Sequence, residues 1–368
     1  MTPLILPIER YSQLLTDKHQ QLQQRLMPYQ APALACFASP MSHYRQRAEF
    51  RLWHNGDDLF HAMWDGEARC WSRVDQFPAA SLIINRLMAE LLSRVKLVPI
   101  LRHKLFRADY LSTLKGEGLV TLLYHRLLSA EWTKQAEWLQ EQLQQALAIP
   151  VVVIGRAAKQ CLTLDRNYID ETLTIQGRIY HYRQREGLFT QPNTAINIQM
   201  LSWASQQLAD TQSDLLELYC GSGNFTLPLA RHCRQIMATE VVKAAVQAAQ
   251  YNLSMNHIDN VQVVRLSACE LMQAYQGDRS FRRLAAVDWQ QFAFQTVLVD
   301  PPRCGLDDST LQWIQRFERV IYFSCNPQSL VDNLTVLCQT HNITEAALFD
   351  QFPYTPHSEC GMILRRQS

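Results

Sequence analysis

A cysteine at the end of an apolar run is the residue with the clearest chemical potential in this chain. The segment 319–327 reads RVIYFSCNP, in which β-branched and aromatic residues lead into a polar turn. This pattern predicts a buried strand that presents the Cys325 thiol at its carboxyl end, where open α/β sheets keep their ligand sites. Because a thiolate is a strong nucleophile, we interpret Cys325 as a candidate covalent catalyst. Cys220 and Cys304 also follow predicted strand ends and are weaker candidates.

A glycine-containing loop upstream has the form of a cofactor site. Segment 217–225 reads ELYCGSGNF, and Gly221 and Gly223 stand between a predicted strand and a predicted helix. Glycine lets the backbone turn tightly and approach a ligand, and a helix N-terminus favours polar or anionic groups. Glu240 ends the next predicted strand, where a carboxylate typically binds the two hydroxyls of an adenosine ribose. Loop and acid together favour a nucleotide-type cofactor.

Two further features favour S-adenosylmethionine (SAM) over NAD. Thr226 stands where a dinucleotide fingerprint would have its third glycine. Asp300, Pro301 and Pro302 end another predicted strand, and the two prolines form a rigid segment that can hold a substrate ring beside a methyl donor. Arg303 follows them, whereas methyltransferases that act on amines have an aromatic residue there. The guanidinium suits a phosphate or a carbonyl oxygen of the substrate instead.

A thiol beside a methyl donor fits the methylation of uracil at carbon 5. Carbon 5 is a poor nucleophile, but addition of a thiolate to carbon 6 turns the ring into an enolate whose carbon 5 can attack the methyl group. A base must then remove the proton from carbon 5 before the thiol is eliminated. Glu359, just before the last predicted strand, is the best candidate because a partly desolvated carboxylate gains basicity. His357 is a rival for this role.

Composition limits the other possibilities. The chain has 368 residues and a formal net charge of +1, so that nucleic-acid binding must come from local basic patches. Its ten cysteines show no zinc-finger or iron–sulfur spacing, which predicts reduced thiols in the cytoplasm and neither a metal nor an iron–sulfur cluster. No signal peptide is recognisable and no apolar run approaches the roughly 18–20 residues of a membrane span. We expect a monomer without a membrane partner.

The order of predicted elements divides the chain into two domains, 1–185 and 186–368. Clustered strands with few helices predict an α+β domain first, and regular alternation of strands and helices predicts a Rossmann-like, doubly wound, mostly parallel sheet second. The first half has predicted helices at 8–27, 79–95 and 131–147, strands at 48–54, 59–64, 119–125, 151–154 and 178–182, and an edge strand at 97–101. The second half has predicted strands at 214–219, 235–239, 261–266, 296–299, 320–323, 345–349 and 361–364, and helices at 196–209, 225–232, 242–256 and 309–316.

These motifs resemble those of the RNA uracil-5-methyltransferases, and most closely the bacterial tRNA (uracil-5-)-methyltransferases. The resemblance covers essentially the whole chain and rests on the segments 44–54, 189–193, 217–225, 300–303, 324–327 and 356–361. The family's rRNA members usually carry iron–sulfur cysteines or an additional N-terminal RNA-binding barrel. The sequence shows neither, which favours the tRNA members.

The resemblance implies a substrate and a role for each site residue. It implies methylation of uridine 54 in the T-loop of tRNA, and of the tRNA-like part of transfer-messenger RNA (tmRNA). Cys325 would be the nucleophile and Glu359 the proton acceptor. The implied SAM contacts, in addition to Gly221 of the loop, are Gln191, Tyr219, Asn224, Glu240 and Asp300. The implied RNA contacts are Glu49, Arg51, Phe106, His125 and Phe189.

Three segments of the N-terminal half mix basic and aromatic residues: 44–51, 102–107 and 178–185. Each alone is typical of a half-buried strand with a solvated face, but three beside a base-modifying site favour RNA contact, because loop recognition relies on stacking and phosphate contacts. Three alternatives stay open. They are an rRNA uridine methyltransferase, an RNA-binding or RNA-folding protein whose methylation is incidental, and a small-molecule methyltransferase, which the N-terminal half disfavours.

Overall fold

The structure, a computed structural model, describes residues 4–66, 69–209, 213–285, 287–288 and 291–367. Its residues form two compact units, each built from separate stretches of chain. The first unit consists of residues 4–9, Pro40–Thr172 and Tyr182–Thr194. The second consists of Arg10–Ser39, Leu173–His181 and the described residues from Ala195 onward. These units do not coincide with a single boundary after residue 185, because Arg10–Ser39 clusters with the second unit.

Strands are clustered in the first part of the chain, whereas helices and strands alternate from Thr194 onward. The first unit and the segments next to it contain α1 (Tyr11–Leu26), β1 (Ala35–Phe37), β2 (Arg47–Asn55), β3 (Asp58–Asp65), β4 (Cys70–Val74), α2 (Leu82–Val95), α3 (Pro99–Arg102), β5 (Leu105–Ser112), β6 (Gly118–Tyr124), α4 (Ala130–Leu147), β7 (Val151–Ala157), β8 (Gln160–Thr163), β9 (Tyr168–Ile175) and β10 (Arg178–Arg185). The remainder contains α5 (Thr194–Gln206), β11 (Asp214–Leu218), α6 (Thr226–Leu229), β12 (Ile236–Thr239), α7 (Lys243–Met255), β13 (Val261–Val264), α8 (Ala268–Gln276), β14 (Phe294–Val299), α9 (Asp308–Ile314), β15 (Arg319–Ser324), α10 (Pro327–Leu337), β16 (His341–Phe349) and β17 (Glu359–Arg366). In the part of the chain that the structure describes, no helix has both the length and the apolar character needed to cross a membrane.

The first unit is built on a seven-stranded sheet in the order β4-β3-β2-β5-β6-β7-β8. Its neighbouring strands are antiparallel except for the parallel pair β6 and β7. Residues of β2 alternate between the two faces, so that Phe50 is buried whereas Glu49 and Arg51 are exposed. On the buried side α2 and α4 contact the sheet, and a Cβ at Gly155 would collide with the indole of Trp132 on α4. The α+β architecture predicted for this half is confirmed.

The predicted edge strand at 97–101 is wrong. The structure has the short helix α3 there, with Pro99 in its first turn. Proline is favoured at that position because its fixed φ suits a helix and its missing N–H would have had no partner within the helix. The strands β4, β5, β8 and β9 were not predicted, because charged and polar residues interrupt their apolar alternation.

The second unit contains an eight-stranded sheet in the order β1-β16-β17-β15-β14-β11-β12-β13. The five strands from β15 to β13 are parallel, and β17 lies antiparallel between β15 and β16. The predicted doubly wound, mostly parallel sheet is therefore confirmed. The chain proceeds outward from β11 to β12 and β13 and then returns to β14 on the other side of β11. Open sheets bind their ligands at the carboxyl ends of the strands beside such a reversal.

The segment Arg10–Ser39 belongs to the second unit because both of its elements pack there. Strand β1 extends the sheet in parallel with β16, and Leu22 and Leu26 of α1 share a core with Leu330 and Leu334 of α10. The buried Lys18 ammonium also donates to the Asp350 carboxylate at 2.7 Å. The predicted amphipathic helix at 8–27 is thus confirmed, with its apolar face on the second unit.

Candidate active site

Four strand ends of the second unit converge at one edge of its sheet. The carboxyl ends of the neighbouring parallel strands β12, β11, β14 and β15 are followed by Glu240, the glycine loop, Asp300 and Cys325 respectively. The rings of Phe225, next to the loop, and Phe323, in β15, pack 4.4 Å apart between centroids. Sequence-distant candidates are therefore brought together by the sheet order.

The glycine loop has the backbone that its sequence predicted. Gly221 and Gly223 have φ angles of +56° and +86°, a region that favours glycine. Tyr219 also has a positive φ of +61°, which is uncommon for an aromatic residue and is often found at functional sites. A Cβ at Gly221 would meet no atom within 4 Å, so that the loop leaves open space on that side. The loop can therefore accept a ligand close to its backbone.

The Glu240 side chain connects the glycine loop to the start of α7 through hydrogen bonds. Its carboxylate accepts hydrogen bonds from the Gly221 N–H at 3.2 Å and the Val242 N–H at 2.7 Å. A carboxylate fixed by two backbone donors has a defined orientation and retains lone pairs for further donors. Glu240 is thus placed to accept from hydroxyl groups of a ligand that lies along the loop.

Two asparagines that the sequence analysis did not identify, Asn197 and Asn252, hold the glycine loop in place through side-chain hydrogen bonds. The side-chain amides of Asn197 and Asn224 donate to each other at 2.9 Å in both directions. The amide of the buried Asn252 donates to the Ser222 carbonyl at 3.0 Å. Asn197 and Asn252 lie in helices whose sequence gave no signal for this role, because a helical asparagine is more often solvated. They position Asn224 and Ser222 in the loop.

Partly or fully buried carboxyl groups lie at the neighbouring strands beside the loop. Glu217 is only 1% exposed and its Oε2 has no hydrogen-bond partner. Burial, together with the nearby Asp300 carboxyl, raises the pKa of Glu217 to about 8, and burial raises the pKa of Asp300 to about 7. Such a site suits a ligand with a positive charge, which would stabilise the carboxylate forms. SAM carries that charge on its sulfur and two ribose hydroxyls for Glu240, so that the residues present fit this methyl donor.

The turn that carries Cys325 is fixed on both sides. Ser324 Oγ accepts from the Asn326 N–H at 3.2 Å, and the Asn326 side chain accepts from the Gln328 N–H as the N-cap of α10. The Asn326 amide also donates to the Arg303 carbonyl at 2.9 Å. The predicted strand with a thiol at its carboxyl end is confirmed, and the turn joins the Cys325 and Arg303 segments.

The electrostatic environment of Cys325 is dominated by burial and by carboxyl groups. Burial and the carboxyls of Glu359 and Asp300 raise the pKa of the half-buried Cys325 thiol to about 11, against a lowering contribution from the Arg303 guanidinium. Cys325 is therefore a thiol at neutral pH in this state. Its attack on a substrate requires a base or a new positive charge nearby.

The sheet register places Glu359 beside Cys325. Strands β15 and β17 are antiparallel with Ser324 opposite Cys360, so the residue after Ser324 faces the residue before Cys360. Glu359 is 2% exposed and its Oε1 has no hydrogen-bond partner. Burial and the Asp300 carboxyl raise the pKa of Glu359 well above its ordinary value. A buried carboxyl of this kind is a stronger base than an exposed one once it is ionised.

His357 has a different environment from Glu359. The Arg303 guanidinium donates to His357 Nδ1 at 3.1 Å, which occupies one of the two ring nitrogens. Partial burial and the positive charge of Arg303 lower the pKa of His357. His357 therefore holds the Arg303 guanidinium through Nδ1, whereas the buried Glu359 has a carboxyl oxygen without a hydrogen-bond partner.

The two rival cysteines differ from Cys325. Cys220 is buried, and burial raises its pKa well above the ordinary value. Cys304 is exposed and directs its thiol toward the Gly305 carbonyl at 3.7 Å. Of the three, only Cys325 is half-buried beside the strand that carries Glu359.

The remaining candidates lie in the first unit, apart from Arg303. Glu49, Arg51, Phe106 and His125 lie on or next to neighbouring strands of the seven-stranded sheet, and the rings of Phe106 and His125 stack at 3.8 Å. Phe189 is 71% exposed. Gln191 also belongs to the first unit, whereas the other SAM candidates belong to the second. Its role as a SAM contact stays a prediction.

Glu240→Ala is expected to weaken SAM binding about 10- to 100-fold, because the variant loses hydrogen bonds between a carboxylate and hydroxyl groups. Isothermal titration with SAM measures the effect. Glu345→Ala, which removes an exposed carboxylate from the same sheet, is the matched control and should bind SAM as the wild type does. Equal affinities of both variants would show that Glu240 does not contact the ligand.

Glu217→Gln is expected to stabilise the protein at alkaline pH. Between pH 4.5, the ordinary pKa, and about pH 8, the folded state keeps a proton that the unfolded state releases, so stability falls as pH rises. Glutamine cannot ionise and avoids that loss, which is on the order of a few kcal/mol. Denaturant unfolding at pH 5 and pH 8.5 should show a gain at pH 8.5 only. The exposed Glu345→Gln is the control, and an equal effect of Glu217→Gln at both pH values would contradict the assignment.

Comparison with known proteins places the chain among enzymes of one type. A family model described as tRNA (Uracil-5-)-methyltransferase matches residues 10–367. The chain is 52% identical over 367 residues to the tRNA/tmRNA (uracil-C(5))-methyltransferase of Pectobacterium atrosepticum, with 100% of both chains covered. It is 53% identical over 368 residues to the protein of the same name from Edwardsiella ictaluri, again with 100% of both covered.

A solved structure shares the fold over nearly the whole chain. It is the tRNA (uracil-54, C5)-methyltransferase of Pyrococcus abyssi in complex with S-adenosyl-L-homocysteine. The TM-score is 0.70 at 19% identity, with 96% of this chain and 83% of that chain covered. This likeness supports the methyltransferase fold of the second unit and its α+β companion.

Proposed function

Because the chain belongs to the tRNA (uracil-5-)-methyltransferase family, we propose that it transfers a methyl group from SAM to carbon 5 of uridine 54 in the T-loop of tRNA. The observation that carries this proposal is the position of Cys325 beside the buried Glu359, at the strand ends that also hold Asp300 and the glycine loop. A nucleophile and a base at a cofactor site are what methylation of carbon 5 requires.

The reaction begins at Cys325. The thiol first loses its proton to solvent, a step that the Arg303 guanidinium favours. The thiolate then adds to carbon 6 of the uracil, and the electron pair of the 5,6 double bond moves toward the carbonyl at carbon 4 to give an enolate. SAM, when bound, supplies an electrophilic methyl group, and the sulfur keeps the electron pair of the broken carbon–sulfur bond in S-adenosyl-L-homocysteine. Carbon 5 gains the methyl group, the ionised Glu359 carboxylate then takes the proton from carbon 5, and the double bond re-forms as the Cys325 thiolate leaves.

The neighbours of the two catalytic residues set their protonation. Burial and, second to it, the Asp300 carboxyl raise the pKa of Glu359, so that the ionised Glu359 binds the proton from carbon 5 more strongly. The Arg303 guanidinium favours the thiolate form of Cys325 and can donate to a carbonyl or phosphate oxygen of the nucleotide. His357 and the Asn326 amide hold the Arg303 side chain and backbone.

RNA binding is assigned to the first unit together with Arg303. Glu49, Arg51, Phe106 and His125 share one region of the sheet, where the stacked rings and guanidinium groups suit unpaired bases and phosphates. The exposed Phe189 is a further stacking candidate. We also propose Gln191 as a SAM contact. The names of the relatives extend the proposed substrates to the tRNA-like loop of tmRNA.

Methyl transfer to unmodified tRNA tests the proposed function. Wild-type protein is incubated with labelled SAM and three RNAs: a tRNA transcript, the same transcript with uridine 54 replaced by cytidine, and an rRNA transcript. Nucleoside analysis should give 5-methyluridine from the first tRNA only. Label on rRNA alone would show that the protein is an rRNA uridine methyltransferase instead. Label on no RNA would contradict the proposal.

A further inference from the structure

One face of the first unit's sheet carries exposed tryptophans between guanidinium groups. Arg51 of β2 lies opposite Ala62 of β3, and Trp64 of β3 lies opposite Trp71 of β4. Because residues two apart in a strand share a face, Arg51, Trp64 and Trp71 all lie on the face opposite to the buried Phe50. Trp64 and Trp71 are 39% and 43% exposed. Large indoles at such exposure on a sheet face indicate an interaction surface.

The side chains on this face are ordered by mutual contacts. The Arg51 guanidinium lies 5.1 Å from the ring centroid of Trp71 and 5.1 Å from that of Trp53. The rings of Trp64 and Trp71 meet edge to face, 5.9 Å apart and inclined by 75°. Cation–π and edge-to-face contacts of this kind hold planar groups in fixed orientations. The indoles are therefore arranged before any partner binds.

These side chains line a cavity of about 500 Å³ that also reaches the stacked Phe106 and His125. Glu49 and Arg107, paired at 2.6 Å, line the same cavity and provide acceptors and donors. Flat apolar walls with a few polar groups are typical of sites for planar ligands. All of these residues belong to the first unit.

We propose that Arg51, Trp64 and Trp71 form a subsite that holds one unpaired base of the RNA substrate by stacking. Each base has a π face that can stack on an indole, and the Glu49–Arg107 pair can meet the donors and acceptors at its edge. Phe106 and His125 line the same cavity and are themselves proposed contacts of the RNA loop, so that the subsite adjoins those contacts. The proposal rests on the proposed function, since it takes RNA as the substrate.

The test combines protein variants with RNAs that lack single bases. The wild type, Trp64→Ala/Trp71→Ala and Trp64→Phe/Trp71→Phe are titrated in filter binding with unmodified tRNA and with tRNAs that carry one abasic nucleotide each in the T-arm. Loss of one stacked base should weaken binding about ten-fold. The alanine variant should show this loss with intact tRNA, and the phenylalanine variant should retain most of the affinity. Trp138→Ala, which removes a partly exposed indole from α4, is the control.

One abasic position should weaken binding to the wild type and cause no further loss in the alanine variant, because both changes remove the same contact. An alanine variant that binds every RNA as the wild type does would overturn the subsite, and so would a uniform loss without a coupled position. Methyl transfer by the wild type is measured on the same tRNA. A wild type that methylates tRNA while no position couples would overturn the subsite alone, whereas a wild type that neither binds nor methylates RNA would overturn the proposed function as well.

Discussion

Cys325→Ala is expected to abolish methyl transfer to tRNA while it leaves tRNA binding within about two-fold of the wild type. The variant lacks the only group that adds to carbon 6, and without that addition carbon 5 stays a poor nucleophile. Removal of a catalytic nucleophile typically lowers the turnover rate by at least about four orders of magnitude. Single-turnover transfer from labelled SAM measures the rate, and filter binding measures the affinity.

Cys304→Ala is the matched control for this prediction. Cys304 follows Arg303 and is exposed, so its replacement removes a thiol next to the site without removing the proposed nucleophile. It should retain the rate of methyl transfer within a few-fold. The opposite pattern, with Cys304→Ala inactive and Cys325→Ala active, would contradict the role assigned to Cys325.

Glu359→Gln is expected to slow product release from the covalent complex more than it slows formation of that complex. Glutamine fills the same volume but cannot accept the proton from carbon 5, and a positioned base typically contributes about 10²- to 10⁴-fold to a rate. The methylated uracil should therefore stay attached to Cys325. Denaturing gel electrophoresis with labelled tRNA should show a slowly migrating protein–RNA band that is faint in the wild type.

His357→Gln separates the two candidate bases. His357 accepts a hydrogen bond from Arg303, and glutamine can accept it as well. This variant should form no persistent band and should lose activity only modestly through altered RNA affinity. A persistent band with His357→Gln, and none with Glu359→Gln, would assign the proton transfer to His357.

The sequence predicted the strand ends that carry the candidate site residues because their signals are local. Cys325 ends an apolar run, Gly221 and Gly223 sit between a strand and a helix, and Asp300 precedes two prolines. Each signal reports the conformation of a few adjacent residues, and the structure has the predicted strand ends in all three cases. Local patterns of this kind predict the structure correctly because the backbone conformation that they favour is also the one that the folded sheet contains.

The energetic coupling between the site residues could not be predicted in this way. In addition to burial, the Asp300 carboxyl raises the pKa values of both Glu217 and Glu359, yet the three residues lie in or next to sequence-distant strands. Their proximity follows from the sheet order, with β14 between β11 and β15, and from the antiparallel insertion of β17. Because such pairings depend on long-range packing, a single sequence leaves them open.

Three other features of the structure differ from the sequence-based predictions or go beyond them, each for its own reason. The N-terminal helix was predicted, but its packing against α10 in the second unit depends on contacts some 300 residues apart, such as the hydrogen bond from Tyr29 to the Val331 carbonyl. The Trp64–Trp71 pair was not recognised, because the strand β4 is short and mostly polar. The edge strand expected at 97–101 failed because apolar residues around Pro99 suit a helical turn equally well.

Trapping of the covalent complex identifies the residue that adds to carbon 6. A T-loop RNA with 5-fluorouridine at position 54 is incubated with wild-type protein and SAM, and the denatured complex is digested and sequenced by mass spectrometry. Fluorine at carbon 5 cannot be removed as a proton is, so the adduct should persist. We predict a methylated fluorouridine nucleotide attached to the peptide that contains Cys325. Attachment to another cysteine, or methylation of ordinary tRNA with no trapped adduct, would contradict the assignment of Cys325 as the nucleophile.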